Sequence, residues 1–173
     1  MNYPAQLAAL RACDPAVEWA AAQHAAGLTY QQAWDACDRG DWMLWLLGRT
    51  TRSAPWSDER KPLVAAAMEC ARRALPIYEA RTGKTDVREA SDVILAWTRG
   101  EATVGEAQEA YRRLRISADA ADAFAAAFAA ADAAAFADAA AADYAADARS
   151  ASLAESANIV RRHFPAPPEL SNG

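Results

Sequence analysis

The apolar residues of this chain recur at steps of three and four, the repeat of a helix buried along one face. No segment alternates with the period of two that a strand requires. Leu63, Ala67, Cys70, Ala74 and Ile77 form one stripe, preceded by Ser57 with Asp58 and Glu59 in the first turn. Val87, Ala90, Ile94 and Trp97 form a second, opened by Asp86 and Glu89 and closed at Gly100. Val104, Ala107, Tyr111 and Leu114 form a third, opened by the capping box from Thr103 to Glu106. The second and third helices are expected to make an antiparallel hairpin. Leu153, Ala157, Val160 and Phe164 form the last stripe, and a capping box from Ser152 to Glu155 predicts a helix start there.

Shorter helices are expected nearer the N-terminus. Asp14 followed by Pro15 reads as an N-cap and first turn, with the helix running to about Ala25 and closing at Gly27. Thr29 and Gln32 make a capping box for a helix through Cys37. Arg39-Gly40 breaks it, and Asp41 is expected to cap the next helix, which is apolar on every side as a buried helix would be. Six of seven Gly and five of eight Pro lie in residues 1–105, and neither occurs from Glu106 to Phe164. The expected fold is therefore all-α: a bundle of about seven or eight helices around a long Ala-rich helix. It is expected to be a single domain over 1–165, with short helices in 1–100, long ones in 103–164, and a flexible tail over 166–173 after Pro165, Pro167 and Pro168.

Composition adds one unusual feature. The chain has 49 Ala among 173 residues, against only 26 Leu, Ile, Val and Phe together. Residues 118–151 alone hold 22 of the Ala. Within that stretch Phe124, Phe128, Phe136 and Tyr144 fall at multiples of four, so the aromatic direction turns by about 200° from first to last. Such a helix suits a hub wrapped by others better than a one-sided rod. Helix from Ser117 to His163 would measure about 70 Å, long for a domain with a radius of gyration of about 16 Å, so a break is expected. Asp recurs through the stretch, which argues against a membrane span, and the N-terminus lacks a basic region followed by an apolar run. Both point to the cytoplasm. A net charge of -5 argues against a nucleic-acid partner.

Candidate chemistry is sparse. Cys13, Cys37 and Cys70 lie far apart in helical patterns and read as reduced core thiols. With no Cys pair at zinc spacing and no evident partners for His24 and His163, no metal site is expected. No nucleophile elbow, zinc-protease motif or phosphate loop occurs, so neither catalysis nor a cofactor is indicated. The densest feature is the corner holding Trp34, Asp35, Asp38, Arg39, Asp41, Trp42 and Trp45. It reads either as core packing with a helix cap or as a partner surface, since Trp and Arg are enriched at binding hot spots. Asp132, Asp138 and Asp143 would place acid along the Ala-rich helix for a basic partner. Arg161 and Arg162 sit in a last helical turn, where they either complement the dipole or meet an anion.

The string Trp34-x-x-Cys37-x-Arg39-Gly40-Asp41-Trp42-Met43-Leu44-Trp45, with the ending Ala157-Asn158-Ile159-Val160-Arg161-Arg162-His163-Phe164-Pro165, resembles a family of immunity proteins of bacterial polymorphic-toxin systems. Relatives are also carried by phages. The resemblance implies a helical first half, an Ala-rich middle and a non-enzymatic inhibitor that binds and neutralises a protein toxin. A second reading is a phage counter-defence protein that blocks a bacterial immune protein or sequesters a nucleotide signal between Trp faces and Arg side chains. An enzyme with a carboxylate-based site is a third, weaker reading. A protein partner is expected in the first reading, and a homo-oligomer stays open.

Overall fold

In the computed structural model, residues 2–73, 75–116 and 142–170 are described. Among them are nine α-helices, one 3-10 turn and no strand, so the chain is all-α as its periodicity requires. The helices are α1 (Tyr3–Ala9), α2 (Asp14–Ala25), α3 (Tyr30–Ala36), α4 (Gly40–Thr50), α5 (Lys61–Arg72), α6 (Leu75–Thr82), α7 (Asp86–Thr98), α8 (Val104–Ile116) and α9 (Ala142–His163). The aromatic positions Phe124, Phe128 and Phe136, with Asp132 and Asp138, lie outside the described residues. No helix among the described residues is long and apolar enough to cross a membrane.

Several boundaries follow the capping chemistry. The Thr29 hydroxyl accepts from the Gln32 amide while the Gln32 side chain accepts from the Thr29 amide, closing both halves of the box. Thr103 and Glu106 do the same for α8, and the two Thr103 donors hold the Glu106 carboxyl below its ordinary range. Gly27 and Gly100 take positive φ at the ends of α2 and α7, a conformation that costs glycine little.

Other expectations are corrected. Asp14 is the first residue inside α2, and extended Cys13 precedes it as the cap. The stripe from Leu63 to Ile77 is two helices, because Pro76 has no N–H to continue the ladder and its ring crowds the preceding turn. Ser152 lies inside α9, which runs unbroken through it, so the box there starts no helix. α1 has no amphipathic signature and was not expected; Asn2 caps it, its side chain accepting from the Ala5 amide, and Pro4 occupies the first turn.

The chain forms two compact units: residues 1–52 with 153–173, and residues 53–152. In the second unit, α7 carries Val87, Ala90, Ile94 and Trp97 to the interior as its period demands. It packs along α8 and α5. Ala90, Ile94 and Ala110 form a cluster closed by Val64, Met68, Val93 and Leu114. On α8 the buried positions are Ala107 and Ala110, whereas Val104 and Tyr111 are 41% and 46% exposed. Of the expected stripe, Ala107 is thus buried and Leu114 packs on the cluster, while the bulky Val104 and Tyr111 lie at the edge of the packed face. Lys61 sits over the Trp97 ring, and Trp56 meets both Trp97 and Tyr111 edge-on.

A bidentate pair joins α6 to α7: Arg88 donates from Nε and Nη2 to the two Glu79 oxygens at 2.6 and 2.8 Å. The guanidinium holds the Glu79 carboxyl below its ordinary value of 4.5. A carboxylate lowered on folding stabilises above its unfolded pKa, and that stability is lost as pH falls through the folded value. The melting temperature should therefore exceed that of Glu79→Gln at pH 6, with the gap narrowing towards pH 3. A gap independent of pH, followed by circular dichroism, would remove this pair from the account.

The first unit gathers α1–α4 with the end of α9 and residues 164–170. Tyr3 is buried, stacks on Tyr30 at 5.5 Å and meets His24 edge-on at 5.1 Å. Its hydroxyl donates to the Leu28 carbonyl. Ala157, Ile159 and Val160 bury the inner face of α9, and Leu170 is buried as well.

Candidate partner-binding site

The corner from Trp34 to Trp45 is set by backbone contacts from α9. Gly40, the first residue of α4, lies so close to α9 that a Cβ there would come within 2.5 Å of the Ala157 nitrogen and the Ser156 carbonyl carbon. Arg161 donates to the Cys37 carbonyl at 2.6 Å and to the Trp34 carbonyl at 3.3 Å, and its other terminal nitrogen donates to Asn158 Oδ1. Its guanidinium therefore occupies the C-terminal end of α3, where carbonyls lack helical donors. Trp34 is buried, and its Nε1 donates to the Phe164 carbonyl at 3.0 Å. Gln31 donates to both Asp35 and the Pro165 carbonyl.

Asp41 does not cap α4. Arg39 precedes the helix, Gly40 is its first residue, and the Asp41 carboxylate accepts two bonds from the Arg39 guanidinium at 2.9 and 2.6 Å. Close contact with α9 demands glycine at the helix start, and Asp41 is the second helical residue, where its charge still suits the N-terminal dipole. The Arg39 guanidinium also lies 4.1 Å from the centre of the Trp42 ring, a cation–π geometry. Trp42 is 6.2 Å from Trp19.

α4 is not buried all round. Met43, Leu46 and Leu47 are buried, while Trp42 is half-buried and Trp45 is 36% exposed. The Trp-bearing face borders a cavity of about 380 Å³. Trp34, Arg39, Asp41, Trp42 and Trp45 all line it. Asp35 and Asp38 are exposed nearby in sequence, and Arg162 is exposed in the last turn of α9. Asp143 lies in α9 with only its backbone described, and Asp132 and Asp138 lie outside the described residues.

Tyr3, Trp19 and Tyr30 also line the cavity and were not singled out from the sequence. The available signal was Trp19 beside Ala16 and Ala20, two small residues one turn apart that mark a buried face. Cys13 is exposed on the same cavity and is not a core thiol, because its extended backbone leads into α2 rather than lying within a helix. Cys37 and Cys70 are buried as expected. Burial pushes the Cys37 thiol up, its Sγ donating to the Arg39 carbonyl. Such a thiol stays protonated and is a weak nucleophile. The cavity offers aromatic faces, one internally neutralised ion pair and a protonated thiol. These groups suit contact with a partner or ligand.

Residues 54–161, well over half of the chain, match the family described as Imm-5 like putative immunity protein. The match takes in nearly all of the second unit and ends at Arg161. No curated protein and no solved structure shows a significant match.

Proposed function

The chain belongs to the Imm-5 like immunity-protein family, and on that premise we propose that it neutralises a protein toxin by binding it, without catalysis. Family membership is the observation that carries this reading. The α3–α4 corner supports it with a place to bind. Trp45 is exposed beside the Arg39–Asp41 pair, and exposed Asp35 and Asp38 add negative charge. A large aromatic side chain bordered by acid fits a basic protein surface. Such charge complementarity raises the association rate more than the affinity. Arg161 acts from behind, holding the carbonyl end of α3.

The test is co-expression of the chain with each candidate toxin from its native host, followed by measured binding of the purified pair. Growth should be rescued and a stable complex isolated. Trp45→Ala combined with Asp38→Lys should weaken binding about tenfold or more, because exposed aromatic anchors dominate such interfaces. It should also flatten the salt dependence of association. Rescue without a complex would sink inhibition by binding; full affinity in the double variant would move the contact surface elsewhere.

A further inference from the structure

We propose that the groove between α7 and α8 is a docking site for a basic amphipathic helix of the protein partner. From the toxin-binding reading this takes only that the chain binds a protein; it adds a face and the partner's chemistry. The groove has a volume of about 700 Å³. Residues 54–161, which match the family, include every residue that lines it and none of the corner from Trp34 to Trp45. A binding face that the family shares must lie within the matched residues, and this groove does.

The shape suits a helix. Residues 99–103 turn the chain back, so α8 runs beside α7 in the opposite direction. The lining extends from Asp86 to Ala96 on α7 and from Gly105 to Leu114 on α8. Ten residues of helix rise about 15 Å, so the groove takes about three turns of a third helix. Ala90, Val93, Ala96 and Ala110 form its apolar floor, buried or half-buried. Side chains this small let another helix approach closely.

The rim sets the sign of the partner. Asp86, Glu89 and Glu106 line the groove, are exposed, and form no ion pair among the described residues. Their side-chain bonds are to neutral groups: Asp86 accepts from the Tyr78 hydroxyl, Glu89 from the Thr85 hydroxyl, and Glu106 from the Thr103 amide and hydroxyl. Each keeps its second carboxylate oxygen for a partner. Glu109 and Arg113 also line the groove, but Arg113 donates to Glu109 and the pair adds little attraction of either sign. Because the helices are antiparallel, Asp86 and Glu89 lie at one end and Glu106 at the other. A helix with lysine or arginine about three turns apart, and a small apolar stripe between, meets both ends and the floor.

The probe is an Ala-rich peptide of about 18 residues, long enough to hold helix alone, with Leu on one stripe. Its lysines lie about eleven residues apart, or three turns. Titrated into the full chain, it should bind one-to-one. A Glu-for-Lys version and a proline-interrupted Lys version should bind at least tenfold more weakly. The neutral variant Asp86→Asn/Glu89→Gln/Glu106→Gln should weaken the Lys peptide about tenfold, because each exposed ion pair contributes modestly, and should flatten its salt dependence. Gly105→Leu should weaken it as well, since a Cβ at Gly105 meets nothing closer than Thr103 Oγ1 at 3.9 Å and the added side chain takes up groove space without a clash. The peptide comparisons use the unaltered protein and hold if a variant misfolds. Any of four results overturns the proposal: no saturable binding, equal binding of the Glu or proline-interrupted peptide, full affinity in both folded variants, or a dimer of the chain that Gly105→Leu dissociates. A toxin bound equally by the parent and both variants removes the groove and keeps toxin neutralisation. Lys-peptide binding that the variants weaken, with no toxin neutralised, keeps the groove and removes the toxin.

Discussion

Replacing Gly40 by alanine is expected to destabilise the folded chain by about 3 kcal/mol or more, near the upper end for overpacking. The added Cβ would fall 2.5 Å from the Ala157 nitrogen, 2.5 Å from the Ser156 carbonyl carbon and 2.6 Å from Ser156 Cβ. Two of these three atoms are backbone within α9, so no side-chain rotation removes the clash. Either the start of α4 or this stretch of α9 must move. The sign makes the test sharp, since Gly→Ala inside an unobstructed helix gains up to about 1 kcal/mol. Gly48 lies in α4 with open space around its Cα and serves as the control. Urea denaturation followed by circular dichroism should show Gly40→Ala well below the parent and Gly48→Ala level with it or above. A Gly40→Ala protein as stable as the parent would show that α4 and α9 do not touch as described. Because Arg39, Asp41 and Trp42 flank Gly40, the same change should also disturb the proposed partner face.

Arg161→Met is expected to cost about 2 kcal/mol, in the range for hydrogen bonds made by a charged group. Methionine keeps much of the apolar stem and removes the guanidinium. The Cys37 carbonyl then loses a 2.6 Å donor, the Trp34 carbonyl loses a 3.3 Å donor, and Asn158 loses its partner. Arg161→Lys should recover only part of this, since one ammonium cannot reproduce a planar fork reaching both α3 carbonyls and Asn158. Loss of the clamp should loosen the C-terminal end of α3, seen as faster amide exchange there and a red-shifted Trp emission. If Arg161→Met keeps full stability and exchange protection, the guanidinium is free in solution to meet a partner.

Local chemistry made much of the helical layout readable. The paired capping boxes at Thr29 and Thr103, the positive-φ glycines Gly27 and Gly100, and the apolar face of α7 all involve residues within one or two turns of each other. Their signals survive folding because their partners are already neighbours in the chain. Some expectations failed on a local feature, as at Pro76, and others where a distant contact intervened. Asp41 has the chemistry of a cap, but with Gly40 packed against α9 the helix starts two residues earlier than a cap there would place it. Ser152 to Glu155 has the spacing of a capping box, but it lies within a continuous helix. Val104 and Tyr111 have the period of a buried stripe, yet of that stripe only Ala107 is fully buried, and the packed face turns towards Ala110.

The corner itself divides along the same line. That Trp34, Arg39, Asp41, Trp42 and Trp45 would lie close together follows from their spacing in sequence. That Tyr3, Trp19 and Tyr30 complete the cavity, and that Arg161 braces it through bonds spanning 124 and 127 positions, does not. By itself, then, the sequence determined the all-α class, the helix ends at Gly27, Thr29, Gly100 and Thr103, and the location of the aromatic corner, because propensity, capping and period act over three or four residues. The tertiary structure decided which arginine braces and which pairs, which cysteine is exposed and which faces enclose a cavity. Those outcomes depend on close contacts between helices far apart in the chain, which no local pattern encodes.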